Sequence, residues 1–194
     1  KSYNTWGKLS DNTFRIKGIT IKEEPKPIET IILNKTDITL TKGTSETLQA
    51  IINPSDTTDD KTLKWTSSNP DVATVDNTGK VTAVGGGTAT ITVKSQNGKE
   101  ASCEVKVTSK IESISLNKSN ITLSKGTSET LKATINPSDA TDDKTLTWKS
   151  EDENIAKVDG NGKVTGVGTG TTNITVITSN GKSAACKVTV VRQT

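Results

Sequence analysis

One feature of this chain constrains its fold more than any other: it contains the same text twice. Setting Ile28 against Ile111 gives an offset of 83 residues that holds without a gap, and 51 of the 83 aligned pairs are identical. Lys42-Gly43 meets Lys125-Gly126, Trp65 meets Trp148, Gly79 meets Gly162 and Cys103 meets Cys186. A repeat must be settled before any element is assigned, because its period decides the architecture. A unit of this length exceeds the solenoid periods and is large enough to bury a core of its own. The chain therefore divides into 1–27, which lies outside the repeat, a first domain at 28–110 and a second at 111–194.

Within a copy the apolar residues recur every second position. Leu48, Ala50 and Ile52 alternate with polar neighbours, as do Ala89, Ile91 and Val93, and again Ala101, Cys103, Val105 and Val107. Period two predicts half-buried antiparallel strands. The turn sequences "KGTS", "NPSD", "DNTGK", "GGGT" and "QNGK" fall between these runs, and no helical stretch is present. Aromatics make up only 3% of the chain, so two small cores built from β-branched residues fit better than one large one. Short strands broken by turns at this spacing predict an all-β protein of two sandwiches.

The text of each copy adds a resemblance. Copy one reads "IILNKTDITLTKGTSETL", "NPSD…LKW", "VATVDNTGKVTAVGGGTATITV" and "GKEASCEVKV". Copy two reads "ISLNKSNITLSKGTSETL", "NPSD…LTW", "IAKVDGNGKVTGVGTGTTNITV" and "GKSAACKVTV". In this order, across nearly all of 28–193, the repeat resembles the bacterial immunoglobulin-like group 2 family. The resemblance implies an Ig-like β-sandwich. It also implies a module of bacterial and phage surface or secreted proteins, found in adhesins or beside catalytic domains; it does not identify a ligand. The linker within "KVTSKIES" is so short that the two sandwiches are expected to stand end to end as a semi-rigid pair.

Residues 1–27 read as the tail of an upstream domain plus a linker. "YNTWGKL" and "TFRIKGITIK" alternate as two strands around Ser10-Asp11-Asn12, and "EEPKPIE" follows as a charged, proline-containing connection. The start at Lys1 and the lack of methionine read as a piece of a longer chain. The net charge of +3 resides in this segment, with six basic against three acidic residues, while the two domains are near neutral. No basic stripe of the kind a nucleic acid requires is present. No run approaches the about 18 apolar residues of a membrane-spanning helix.

The chemistry available is narrow. The chain has no histidine, which removes the commonest general base. Cys103 and Cys186, one per copy, fall on inward strand positions, where a thiol acts as a small apolar group rather than a nucleophile. Adjacent carboxylates on one loop do not supply the separated pair that glycoside hydrolysis needs. The chain is thus read as non-catalytic.

Two readings remain for "NPSDTTDDKTLKW" and its copy "NPSDATDDKTLTW". Asp56, Asp59 and Asp60, with Asp139, Asp142 and Asp143, offer hard oxygen ligands suited to calcium. The same residue types also build ordinary strand-to-strand turns through bonds to their own backbone. The run Glu151-Asp152-Glu153, present only in copy two, reads as a solvated loop tip. Trp65 and Trp148 share strand faces with Leu63 and Leu146 and are placed in the core, which disfavours carbohydrate stacking. Gly85-Gly86-Gly87 lacks the Lys-Ser/Thr sequel of a phosphate loop and reads as a turn.

These observations lead to an extracellular expectation, a bacterial cell-surface or secreted protein whose modules form a stalk or spacer. Adhesive contacts to a host protein, glycan or cell wall are compatible with it, without nucleic acid, membrane insertion or self-association beyond a monomer. The alternatives are an accessory module of a secreted polysaccharide- or peptidoglycan-active enzyme, and a calcium-dependent adhesion module.

Overall fold

The computed structural model describes residues 13–16, 19–22 and 24–192. Every regular element among them is a strand. A hairpin comes first, with β1 (Thr13–Ile16) antiparallel to β2 (Ile19–Lys22). Both strands lie inside "TFRIKGITIK", which the alternation alone presents as a single strand. The stretch 3–9 and the Ser10-Asp11-Asn12 turn lie outside the described residues.

Domain 1 contains β3 (Thr30–Leu33), β4 (Asp37–Thr41), β5 (Ser45–Thr47), β6 (Ala50–Asn53), β7 (Leu63–Ser67), β8 (Ala73–Val75), β9 (Lys80–Ala83), β10 (Gly87–Ser95) and β11 (Glu100–Thr108). One sheet has the order β4-β11-β10-β7, with β4 parallel to β11 and the other neighbours antiparallel. On the opposite side β8-β9-β5 and β6-β3 are both antiparallel. This is the two-sheet arrangement of an Ig-like sandwich.

The stretch read as one strand, "ETLQAII", is two strands because it changes partner. β5 pairs with β9, β6 pairs with β3, and Leu48-Gln49 make the step between them. At the step the Leu48 N–H donates to the Gly79 carbonyl at 2.9 Å, and the Gln49 N–H donates to Asn34 Oδ1 at 2.8 Å. The two N–H groups freed by the break are thereby satisfied, which permits the step beside the buried Leu48.

The alternation in sequence becomes alternation in depth. Ala89, Ile91 and Val93 of β10 are buried, as are Cys103, Val105 and Val107 of β11, and the cross-strand pairs Ala89–Val105 and Ile91–Cys103 join them. Thr88, Thr90 and Lys94 point outward. Each enclosed Val or Ile contributes about 1.5–3 kcal/mol through burial. The two thiols are free and buried, and burial pushes both above their ordinary pKa, which opposes thiolate formation.

Domain 2, from β12 (Ser113–Leu116) to β20 (Ser183–Val191), repeats every strand boundary 83 residues later, with the same pairings. The two tryptophans of the repeat differ from expectation in degree. Trp65 and Trp148 are half-buried and pack on the rim of their cores. Each ring edge lies against a glycine in the turn ahead of β9 or its counterpart. A Cβ on Gly79 would stand 2.9 Å from Trp65 Cζ2 and 2.5 Å from the Leu48 carbonyl, and Gly79 has φ of +82°. Gly162 meets Trp148 and Leu131 in the same way. The outer side of Trp65 borders a shallow groove with Gln49, Ile51, Lys64 and Asn77.

Candidate functional site

The six aspartates sit on the loop that leads into the tryptophan strand, as the sequence places them, but they do not act together. The third of each set closes a local turn. Asp60 Oδ1 accepts from the Thr62 N–H at 2.8 Å and the Thr62 hydroxyl at 2.7 Å, and Asp143 accepts from Thr145 at 2.9 and 2.6 Å. These bonds, the hydroxyl's first, hold both carboxyls below the usual aspartate range.

The second of each set ties down the start of its domain. Asp59 Oδ2 accepts from the Ile28 N–H at 2.8 Å and from Asn97 Nδ2 at 2.8 Å, and the same Asn97 amide donates to the Ile28 carbonyl at 2.9 Å. Asp142, Ile111 and Asn180 repeat the arrangement. Ile28 and Ile111 are 1% and 2% exposed, so this clamp fixes a buried side chain at the point where the chain joins the sandwich.

The first of each set faces out of the domain. Asp56 receives the Lys26 ammonium at 2.5 Å. Asp139 receives an ammonium from the other domain, with Lys42 Nζ lying 2.9 Å from Oδ2 and 3.2 Å from Oδ1. The Gly86 N–H also donates to Asp139 Oδ2, at 2.8 Å. The Lys42 bond, then the Gly86 bond, hold the Asp139 carboxyl below its ordinary value, and Lys26 does the same for Asp56. Beside Asp139 the linker is clamped: the Ser109 N–H donates to Thr141 Oγ1 at 3.0 Å, and the Thr141 N–H donates to the Ser109 carbonyl at 2.7 Å.

Calcium coordination needs six to eight oxygens around one point. Here the carboxylates serve three separate places, and an ammonium occupies the outward position in both copies. Among the described residues no three acidic, cysteine or histidine side chains gather into a metal-holding group. Glu151 Oε2 accepts from Asn173 Nδ2 at 2.9 Å, and Asp152 Oδ1 caps the Asn154 N–H at 2.9 Å, so the acidic run of copy two is a locally bonded loop tip.

The place where distant residues converge is thus the joint between the domains. Lys42 follows β4, Gly86 precedes β10, and Asp139 and Thr141 belong to the "NPSD" loop of domain 2. Lys42 and Asp139 are 97 residues apart in sequence. In the sequence Lys42 stands out only as a landmark of the repeat and Gly85-Gly86-Gly87 only as a turn; neither is assigned a partner there. A signal was available: within the repeat, "GGG" of copy one becomes "GTG" in copy two, with Thr169 at the position of Gly86.

Comparison with known proteins places both copies in one domain family. The family model described as "Bacterial Ig-like domain (group 2)" matches residues 27–105 and 110–188. An uncharacterized protein of Clostridium acetobutylicum is 34% identical over 164 residues, covering 82% of this chain and 17% of that protein. Lacto-N-biosidase of Bifidobacterium bifidum is 46% identical over 70 residues, 36% of this chain and 6% of the enzyme. The Ig-like virion protein of Serratia phage KSP90 is 32% identical over 171 residues, 84% of this chain and 66% of that protein. The chain therefore spans only a small part of the first two of these relatives.

Proposed function

Because the chain belongs to the bacterial Ig-like domain (group 2) family, we propose that its two domains are a non-catalytic, end-to-end spacer in an exported bacterial or phage protein. The observation that carries this reading is the joint. Lys42, Gly86, Ser109, Asp139 and Thr141 hold one domain on the other through both side-chain and backbone bonds. A connection of this kind transmits orientation along the chain, which a flexible tether of the same length does not. Two neutral, threonine-rich sandwiches with buried thiols suit a durable element outside the cell.

A second reading is favoured by the lacto-N-biosidase match: an accessory module within a polysaccharide-active enzyme, touching glycan at the groove beside Trp65. One experiment separates the two. The chain is screened against a panel of glycans, peptidoglycan fragments and matrix proteins, and its shape is measured by small-angle scattering. The spacer reading expects an elongated particle with no binding. Saturable glycan binding that Trp65→Ala abolishes favours the accessory reading, and a compact side-by-side pair contradicts the spacer.

A further inference from the structure

We propose that the joint is selective: the lower end of domain 1 is a socket for the "NPSD" loop of another domain of this kind, and the lower end of domain 2 is not. The inference concerns which module docks on which, and stands whether the pair is a spacer or an accessory module.

The plug side is common to both copies. Asp56 and Asp139 both project outward to an ammonium, and Thr58 clamps Lys26 as Thr141 clamps Ser109: the Thr58 N–H donates to the Lys26 carbonyl at 2.9 Å, and the Lys26 N–H to Thr58 Oγ1 at 3.0 Å. Each domain thus carries the same projection at its upper end.

The socket side is not common, and the three glycines show where it differs. A Cβ at Gly85 would come within 2.6 Å of the Asp71 carbonyl, and one at Gly168 within 2.6 Å of the Asn154 carbonyl, so each domain's own backbone demands these two. Gly87 and Gly170 share a left-handed φ, +145° and +149°. The middle position is different. A Cβ at Gly86 would stand 2.1 Å from the Asp139 carbonyl, 2.8 Å from Thr141 Cγ2 and 3.0 Å from the linker's Ser109 Cβ. All three contacts belong to the joint and none to the sandwich of domain 1. Glycine at 86 is therefore demanded by the neighbour. The second copy supports the same conclusion, since Thr169 occupies the equivalent position, is exposed, and leaves its own sandwich intact. Lys125 preserves the ammonium of the socket, but the Thr169 side chain fills the space through which a plug backbone must pass.

The test uses the whole chain with spin labels at Lys106→Cys and Lys187→Cys, two exposed sites on opposite sides of the joint, read by double electron–electron resonance. The native chain gives a narrow distance distribution. Gly86→Thr broadens or shifts it while leaving the far-UV spectrum unchanged, and Thr169→Gly does not alter it. A second arm extends the chain from Gln193 with another copy of 111–194 and labels the new joint. That joint gives a broad distribution as built, and a narrow one once Thr169→Gly is introduced. A narrow distribution at the new joint without that change, or a Gly86→Thr chain indistinguishable from native, overturns the proposal. Should Gly86→Thr fail to fold, the extended chain decides alone.

Discussion

The same loop occurs twice in this molecule and does two different things. In copy one Asp56 is held by Lys26, from the segment just before its own domain; in copy two Asp139 reaches Lys42 and Gly86 in the other domain. The loop text is nearly identical, as are the turn at Asp60 or Asp143 and the clamp at Asp59 or Asp142. What differs is the partner offered to the first aspartate. The loop is thus a fixed projection whose role is set by whatever stands opposite. A charged loop repeated within one chain can serve as a joint at one end of the molecule and as a local pair at the other.

The largest expected effects fall on both copies equally, and so test the symmetry beneath this difference. Ile91→Ala and Ile174→Ala each empty a fully enclosed site, and each should destabilise its own domain by about 2–5 kcal/mol. Denaturant unfolding followed by Trp65 or Trp148 fluorescence, with Trp6 and the other repeat tryptophan replaced, measures each domain separately. Equal losses sharpen the picture of two matched sandwiches.

Next comes the asymmetry itself. Asp139→Asn removes the charge that Lys42 meets across the joint and should broaden the interdomain distance distribution, whereas Asp56→Asn should leave it unchanged. If both variants broaden it, or neither does, the two loops are not distinguished as described.

Acidity should act on the same pair. The Asp139 carboxyl is held below its ordinary pKa of 3.8 by Lys42 and the Gly86 N–H. A depressed folded-state pKa means that the stabilisation is present above the ordinary value and lost as pH falls through the lowered one. The joint is therefore expected to stay narrow above the ordinary aspartate value of 3.8 and to loosen only as the pH falls below it, with carboxylates elsewhere also taking up protons. Because the pair is partly exposed, added salt should weaken it without a change of pH.

A smaller difference lies on the outer face of domain 1. Ile32 and Ile51 are directly paired across β3 and β6 and are 57% and 59% exposed, whereas copy two has Ser115 and Thr134 there. Converting them to Ile32→Ser and Ile51→Thr should change stability by no more than roughly 0.5 kcal/mol. Smallest of all, calcium and EDTA should leave the melting temperature of either domain unchanged, since the six aspartates serve separate places. A calcium-dependent rise confined to one copy would break that part of the comparison.

Much of this fold was legible in the sequence because the signals were local. The alternation of Ala89, Ile91 and Val93 states which face is buried, and the repeat states that it happens twice. The break at Leu48-Gln49 was not legible, because alternation continues unbroken while the strand changes partner. Nor was the half-exposure of Trp65: a period of two assigns a face, but how far that face is covered depends on the neighbouring sheet edge. The candidate site was the least legible part. Asp139 was singled out for its charge, but its partners come from a turn 97 residues earlier, and the need for glycine at 86 arises from atoms of another domain. Only the single mismatch between Gly86 and Thr169 marks that need in the text.

Lys42, Gly86, Asp139 and Thr141 are expected to hold the two domains as one end-to-end body. Residual dipolar couplings of the intact, weakly aligned chain test it most directly. One alignment tensor, equal in magnitude, rhombicity and orientation when fitted independently to each domain, is expected, dividing into two under Asp139→Asn. Two different tensors in the native chain would contradict it.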